Sequence, residues 1–121
     1  SYNFTPIDIY TYLEERINFL ISRGIPKRYI AIDVGFGFGK TVSDNLSLVD
    51  WMPLFHGLGV PIIIGVSRKS TIAKIDNNAP VDKRIGGSIA LTLKSIDAGV
   101  QIVRTHDIQE TRQAIKLWHA C

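Results

Sequence analysis

The chain has a single cysteine, Cys121, at its last position. A disulfide framework needs at least a pair and a thiolate zinc site needs more, so neither can form within it. No apolar run approaches the ~20 residues of a membrane-spanning helix, and no basic-then-apolar leader opens the sequence. Charge of one sign is also scarce: 14 Lys and Arg stand against 11 Asp and Glu, a net charge of +3 spread without a run. Nucleic-acid binding asks for a clustered basic stripe with interleaved aromatics, and none is visible. No Gly-x-Ser-x-Gly elbow is present. The expectation is a cytosolic protein with no membrane or nucleic-acid partner, whose mild positive excess suits a small anionic substrate. At 45% hydrophobic and 21% charged residues the composition is globular rather than disordered, and 121 residues make one domain or part of one.

What is present is strand-helix alternation. Thr5-Pro6 starts a helix, with Thr as N-cap and Pro at the first helical position; Tyr10, Leu13, Ile17 and Leu20 form its stripe and Gly24 ends it. A strand runs from Tyr29 to Asp33. A second helix starts around Ser43-Asp44-Asn45 and carries Leu46, Val49, Met52 and Phe55. Pro53 conflicts with its interior, so a kink or break is expected there. A second strand covers Pro61 to Val66. A third helix runs from about Val81 to Ala98, with Gly86-Gly87-Ser88 marking close backbone packing. A last strand includes Gln101-Ile102-Val103. The final helix starts at Asp107, paired with Glu110 in a capping-box-like arrangement, and buries Ile108, Ala114, Ile115 and Trp118. Such alternation implies right-handed crossovers and a parallel α/β sheet. Three nearly continuous apolar strands suit central positions, yet here they would leave two open edges. A closed (β/α)8 barrel needs about 250 residues, so the chain reads as the later part of a larger domain.

Each strand ends in a polar cluster, and parallel strands bring such ends to one rim, where α/β folds bind ligands. The first ending is Asp33-Val34-Gly35-Phe36-Gly37-Phe38-Gly39-Lys40. A P-loop would need glycine at position 34, which is Val34, and a dinucleotide fingerprint would need glycine at Lys40. What remains is a glycine loop after a strand-terminal carboxylate, with Phe36 and Phe38 as flat walls. The bland reading makes both phenylalanines core plugs. The second ending is Ser67-Arg68-Lys69-Ser70, two cations and two hydroxyls before a short helix that Ser70 can cap, a candidate anion site. The third is Arg104-Thr105-His106-Asp107, where Arg suits flat or bidentate partners and His can donate to phosphate; an Arg–Asp ion pair tying the rim is the bland alternative. His56 and His119 read as surface residues, Trp51 and Trp118 as packing or interface residues, and Asp82-Lys83-Arg84 as a solvated face.

In this order and spacing the three endings, with Arg84-Ile85-Gly86-Gly87-Ser88, resemble dihydropteroate synthase. The resemblance covers essentially the whole chain but only the C-terminal part of the family's domain. Val34 departs from the family's usual proline and Thr105 from its usual valine. The resemblance implies a (β/α)8 TIM barrel, with residues 1–121 supplying the last three strands and the helix before them as one undivided portion. It implies condensation of 4-aminobenzoate with 6-hydroxymethyl-7,8-dihydropterin diphosphate to dihydropteroate and diphosphate in folate biosynthesis. Catalytic roles fall by resemblance on Lys69, Arg104 and His106, and pterin contacts on Asp33, Gly65, Lys69 and Arg104. Aminobenzoate contacts fall on Gly37, Phe38, Ser67, Arg68 and Ser70, and diphosphate contacts on Arg104 and His106. The family's Mg2+ would have no ligand in this chain, its ligands being expected in preceding strands. Sulfonamides are implied as competitive inhibitors and a homodimer as the assembly, through surfaces bearing Ala90, Leu91 and Leu93. The chain alone is expected to be inactive. Alternatives are a phosphate- or nucleotide-binding module on an open sheet and a non-catalytic dimerising remnant.

Overall fold

The structure, a computed structural model, describes residues 5–38 and 40–121. Its elements follow the expected alternation: α1 (Pro6–Ser22), β1 (Ile32–Asp33), α2 (Val42–Asp50), β2 (Ile62–Ile64), α3 (Ser70–Ile75), α4 (Ile85–Asp97), β3 (Ile102–Val103) and α5 (Ile108–Ala120), with 3-10 segments at Lys27–Tyr29, Met52–Leu58 and Val81–Lys83. The strands form one parallel sheet in the order β1-β2-β3. Ile32 pairs with Ile62 and Asp33 with Ile63, while Ile63 pairs with Ile102 and Ile64 with Val103. Because all three strands run the same way, Asp33, Gly65 and Arg104 follow one another across a single edge. The Arg104 N–H extends the ladder there, donating to the Ile64 carbonyl at 2.9 Å.

Local chemistry sets the helix ends. Thr5 and Asp8 form a full capping box on α1, with Pro6 beginning the helix. Thr41 and Asp44 do the same for α2, so that helix begins earlier than the Ser43-Asp44-Asn45 expected from sequence. It also stops at Asp50. Pro53 lies inside the following 3-10 segment near its start, where a missing N–H costs nothing, and the expected break is therefore a change of helix type.

Several expectations need correction. The first strand is shorter than Tyr29 to Asp33: Tyr29 ends a 3-10 turn and is exposed, because Pro26 and the turn carry the chain outward before Ile30 enters the core. The third helix does not run unbroken from Val81. It starts at Ile85, after the Val81–Lys83 turn. Ser70 is the first helical residue of α3, and Lys69 holds the N-cap position without a side-chain cap. Asp107 holds the N-cap position of α5, but its side chain caps nothing there, being committed to Arg68. The expected buried stripe of α5 is also corrected: Ile108 and Trp118 are exposed, Ala114 and Ile115 are half-buried, and the buried residue of that helix is Thr111. His56 is exposed yet not without a partner, its Nε2 lying 2.7 Å from the Ala98 carbonyl.

The core lies between the sheet and α1, α2 and the Met52–Leu58 segment. Leu48, Met52, Phe55, Ile62 and Ile64 are completely buried, and Tyr10 of α1 stacks at a tilt on Phe55 with ring centres 6.3 Å apart. Tyr10, Leu13 and Leu20 pack against this core beside buried Ile9 and Ile17, so the stripe of the first helix is as the spacing predicts. Of the two adjacent glycines in α4, a Cβ on Gly87 would come within 2.6 Å of Ile72. That close approach brings α4 onto α3, as the Gly-Gly-Ser run predicts.

Candidate functional site

The loop after β1 is fixed by side chains that replace absent backbone partners. Asp33 Oδ1 accepts from the Gly35 N–H at 2.8 Å, a turn that glycine permits because Gly35 has φ +74°. Phe36 then dives into the core at 1% exposure, while Phe38 stands out at 61%. One phenylalanine follows the bland reading and the other makes a wall at the rim. Lys40 returns along the loop, its Nζ donating to the carbonyls of Gly35 at 2.7 Å and Phe38 at 3.1 Å. Burial lowers the Lys40 ammonium below its usual range, against the raising pull of Asp33 and Asp44. Gly39, the last glycine of the loop, lies outside the described residues.

The loops after β2 and β3 complete the rim. Arg104 reaches back over Gly65, where an added Cβ would meet Nη2 at 2.8 Å, and its Nη2 pairs with Asp33 Oδ2 at 3.2 Å. Both side chains remain open to solvent, Arg104 at 60% and Asp33 at 34%. An exposed pair of this kind is easily parted, since it is worth at most about 1 kcal/mol. Lys69 lays its stem on Gly37, with Cδ 3.1 Å from where a Cβ would be, and holds Nζ 4.1 Å from the centre of the Phe38 ring. That distance is a cation–π contact. His106 is anchored twice to Ser67, backbone N–H to Oγ at 3.1 Å and Nδ1 to Oγ at 2.9 Å.

Arg68 is the strained member, a non-glycine residue at φ 57°. Its surroundings fix that conformation: the N–H donates to Ser88 Oγ at 2.9 Å and the carbonyl accepts from Arg84 Nη1 at 2.9 Å. The guanidinium makes a two-point contact with Asp107, 3.3 Å to Oδ2 and 2.9 Å to Oδ1. This hydrogen bond from Arg68 pulls the Asp107 carboxyl below its ordinary value of 3.8 and raises the guanidinium in return. Arg–Asp ties do cross the rim, but the Arg and Asp of the third ending each pair with another loop, Asp107 with Arg68 and Arg104 with Asp33.

Asp33, Gly65 and Arg104 form one group of contacts at the rim and Gly37, Phe38 and Lys69 another, linked through Gly35 and Lys40, and Ser67, Arg68 and His106 lie in the same loops. Ser70 lies beside Lys69, exposed at the start of α3. Sequence reading missed the residues beneath this surface. Asn45, buried, accepts from the Gly37 N–H at 2.7 Å and donates to Thr71 Oγ1 at 3.1 Å. Ser88 and Arg84, read as packing and a solvated face, hold the Arg68 backbone. A buried polar residue at 45, inside an otherwise apolar helix stripe, was the available signal. Among the described residues no three His, Cys, Asp or Glu side chains gather into a metal-holding group.

Residues 5–106 match the family model described as pterin binding enzyme, a span that includes the rim residues above except Asp107. The chain belongs to the pterin-binding enzyme family. It is 41% identical over 116 residues to the dihydropteroate synthase of Neisseria meningitidis serogroup B, covering 93% of this chain and 41% of that protein. With the dihydropteroate synthase of Haemophilus influenzae it shares 40% over 113 residues, at the same coverage of 93% and 41%. The solved dihydropteroate synthase of Xanthomonas albilineans in complex with 7,8-dihydropteroate is similar at TM-score 0.95 and 36% identity, over 99% of this chain and 46% of that one. The Yersinia pestis dihydropteroate synthase with a sulfonamide drug is similar at TM-score 0.94 and 32% identity, over 99% and 43%. The chain therefore spans about two fifths of the length of the curated relatives it matches, and its three strands are part of a (β/α)8 barrel.

Proposed function

We propose that residues 1–121 form the C-terminal portion of the barrel of a dihydropteroate synthase and supply part of its pterin, aminobenzoate and diphosphate sites. The observation that carries this reading is the Asp33–Arg104 pair bridging Gly65, linked through Gly35 and Lys40 to Phe38 and the Lys69 that lies on it. A carboxylate offers two acceptors to the amino and ring N–H groups of a pterin. Lys69 and Gly65 border the pterin's carbonyl edge, and the Arg104 plane lies over the ring face. Gly37, Phe38, Ser67, Arg68 and Ser70 enclose the 4-aminobenzoate ring and its carboxylate. Arg104 and His106, the latter with Nδ1 already engaged by Ser67, face the diphosphate.

In the reaction the methylene C–O bond breaks and diphosphate leaves. The 4-aminobenzoate amine then forms the C–N bond and gives up a proton. These residues serve it by stabilising the leaving charge and orienting two flat reactants, with no covalent protein intermediate. Among the described residues no three His, Cys, Asp or Glu side chains gather, and the Mg2+ of the resemblance would be held by other parts of the enzyme. Sulfonamides would compete at the aminobenzoate site. A cytoplasmic homodimer completes the reading, supported by exposed Ala90 and half-buried Leu91 and Leu93 on α4.

The test is calorimetric titration of the intact protein with a 6-hydroxymethylpterin. Asp33→Asn keeps the shape and removes the charge, and is expected to weaken binding about 10- to 100-fold. Binding of undiminished strength in that variant would end the assignment. The isolated 121-residue chain is expected to form no dihydropteroate.

A further inference from the structure

Asn45 is 2% exposed, sits in the first turns of α2 and meets the surface assigned to substrate from beneath, through the Gly37 N–H. A buried amide must satisfy both ends, and here one end grips the loop after β1 and the other the first turn of α3, which follows the loop after β2. The Gly37 N–H can only donate, so it is Oδ1 that faces it, at 2.7 Å. Nδ2 is then the donor to Thr71 Oγ1 at 3.1 Å, and Thr71 is itself buried at 2% exposure. Thr71 lies two residues beyond Lys69, and Lys69 returns to Gly37 through its stem. Gly37, Asn45, Thr71 and Lys69 thus close a ring that joins the loop after β1 to the loop after β2.

We propose that Asn45 is a positioning residue that, through Gly37 and Thr71, fixes the Lys69 ammonium over the face of Phe38. The inference rests on the functional reading for its consequence in substrate binding, but its geometry stands apart from that reading. Gly37 holds φ +85°, so its amide points to Asn45 while its Cα, bare of a side chain, receives the lysine stem. Losing the Asn45 acceptor leaves the Gly37 N–H unpaired in a half-buried loop and frees Phe38 from its register with Lys69.

The experiment is NMR on the intact protein, reading the Lys69 ε-methylene protons, which the Phe38 ring shifts upfield. Phe38→Leu assigns the signal by abolishing that shift. In Asn45→Ala the signal should move toward that of an ordinary lysine, and the affinity for 4-aminobenzoate and for the pterin should fall about tenfold. Thr71→Val, which removes only the hydroxyl, should move both in the same direction by less, and it carries the test if Asn45→Ala does not fold. Thr71→Ser should restore the native values. An unmoved Lys69 signal, with both affinities within about twofold of native, overturns the proposal. A displaced Lys69 signal in a protein that binds neither ligand even with its native residues upholds the positioning link and overturns the functional reading instead.

Discussion

Around β2, Ile62, Ile64, Leu48, Met52 and Phe55 are wholly withdrawn from solvent, whereas around β3 and α5, Ile102, Ile108, Leu117 and Trp118 stay exposed. The sheet explains the contrast. β2 has a paired strand on each side, while β3 pairs on one side only. Beside it, Val103, Ile108 and Ile115 line a groove of about 290 Å³ with Thr105, Thr111, Arg112 and Lys116. The apolar stripe of α5 is present in the sequence as helical spacing requires, but among the described residues Ile108 and Trp118 of that stripe stay exposed. The relatives that match this chain extend to more than twice the matched length, which agrees with a barrel in which β3 gains a second partner.

The sharpest way to break the comparison is to truncate one apolar side chain in each region. Phe55→Ala opens a cavity under Tyr10 and the sheet and should cost about 3–5 kcal/mol. Leu117→Ala, at 59% exposure, should change stability by less than about 0.5 kcal/mol. Urea denaturation of the isolated chain measures both. Comparable losses would mean that α5 is covered in solution, and the contrast would be void.

Sequence reading recovered the α/β alternation, the first helix and its stripe, and the convergence of three strand ends, because periodicity and strand polarity are local properties. It placed the α5 stripe correctly on the helix and wrongly in the core, since burial depends on what lies opposite. The rim residues Asp33, Lys69 and Arg104 were legible as motif ends. The pairing of Asp33 with Arg104 was not, because the partners are 71 positions apart and nothing in either segment encodes which acid meets which base. Thr41, three residues before Asp44, carries the capping-box spacing that starts α2, and the Ser-Asp-Asn cluster beside it offers a competing start signal.

A smaller effect separates two neighbouring glycines on α4 and sharpens the line between closed and open surface. Gly87→Ala drives a methyl into Ile72, at 2.6 Å from Cγ2 and 3.0 Å from Cγ1, and should destabilise by about 1–3 kcal/mol. Gly86→Ala meets nothing within 4 Å and should stabilise by up to about 1 kcal/mol through helix propensity. Opposite signs at adjacent positions are the expected outcome of thermal melts. The same sign at both would show that the α3–α4 seam yields freely.

The smallest effect concerns the tie between the two regions, Arg68 from the β2 loop on Asp107 at the start of α5, 2.9 Å apart. The hydrogen bond from Arg68 is the main cause that holds Asp107 below 3.8, with the charges of Arg68 and His106 assisting and desolvation opposing. As pH falls, the unfolded chain therefore takes up its proton first. The stabilisation is present above the unfolded value and is lost as pH drops through the folded one. Removing the partner with Arg68→Ala should return Asp107 toward 3.8 and flatten the acid limb of the stability profile. Carboxyl-detected NMR titration of the two proteins reads the shift directly. Asp107 titrating at the same pH with and without Arg68 would show the pair to be parted in solution. The open region would then be held to the closed one by the β2–β3 ladder, the α4–α5 packing, the His106–Ser67 hydrogen bonds and the Arg104–Asp33 pair.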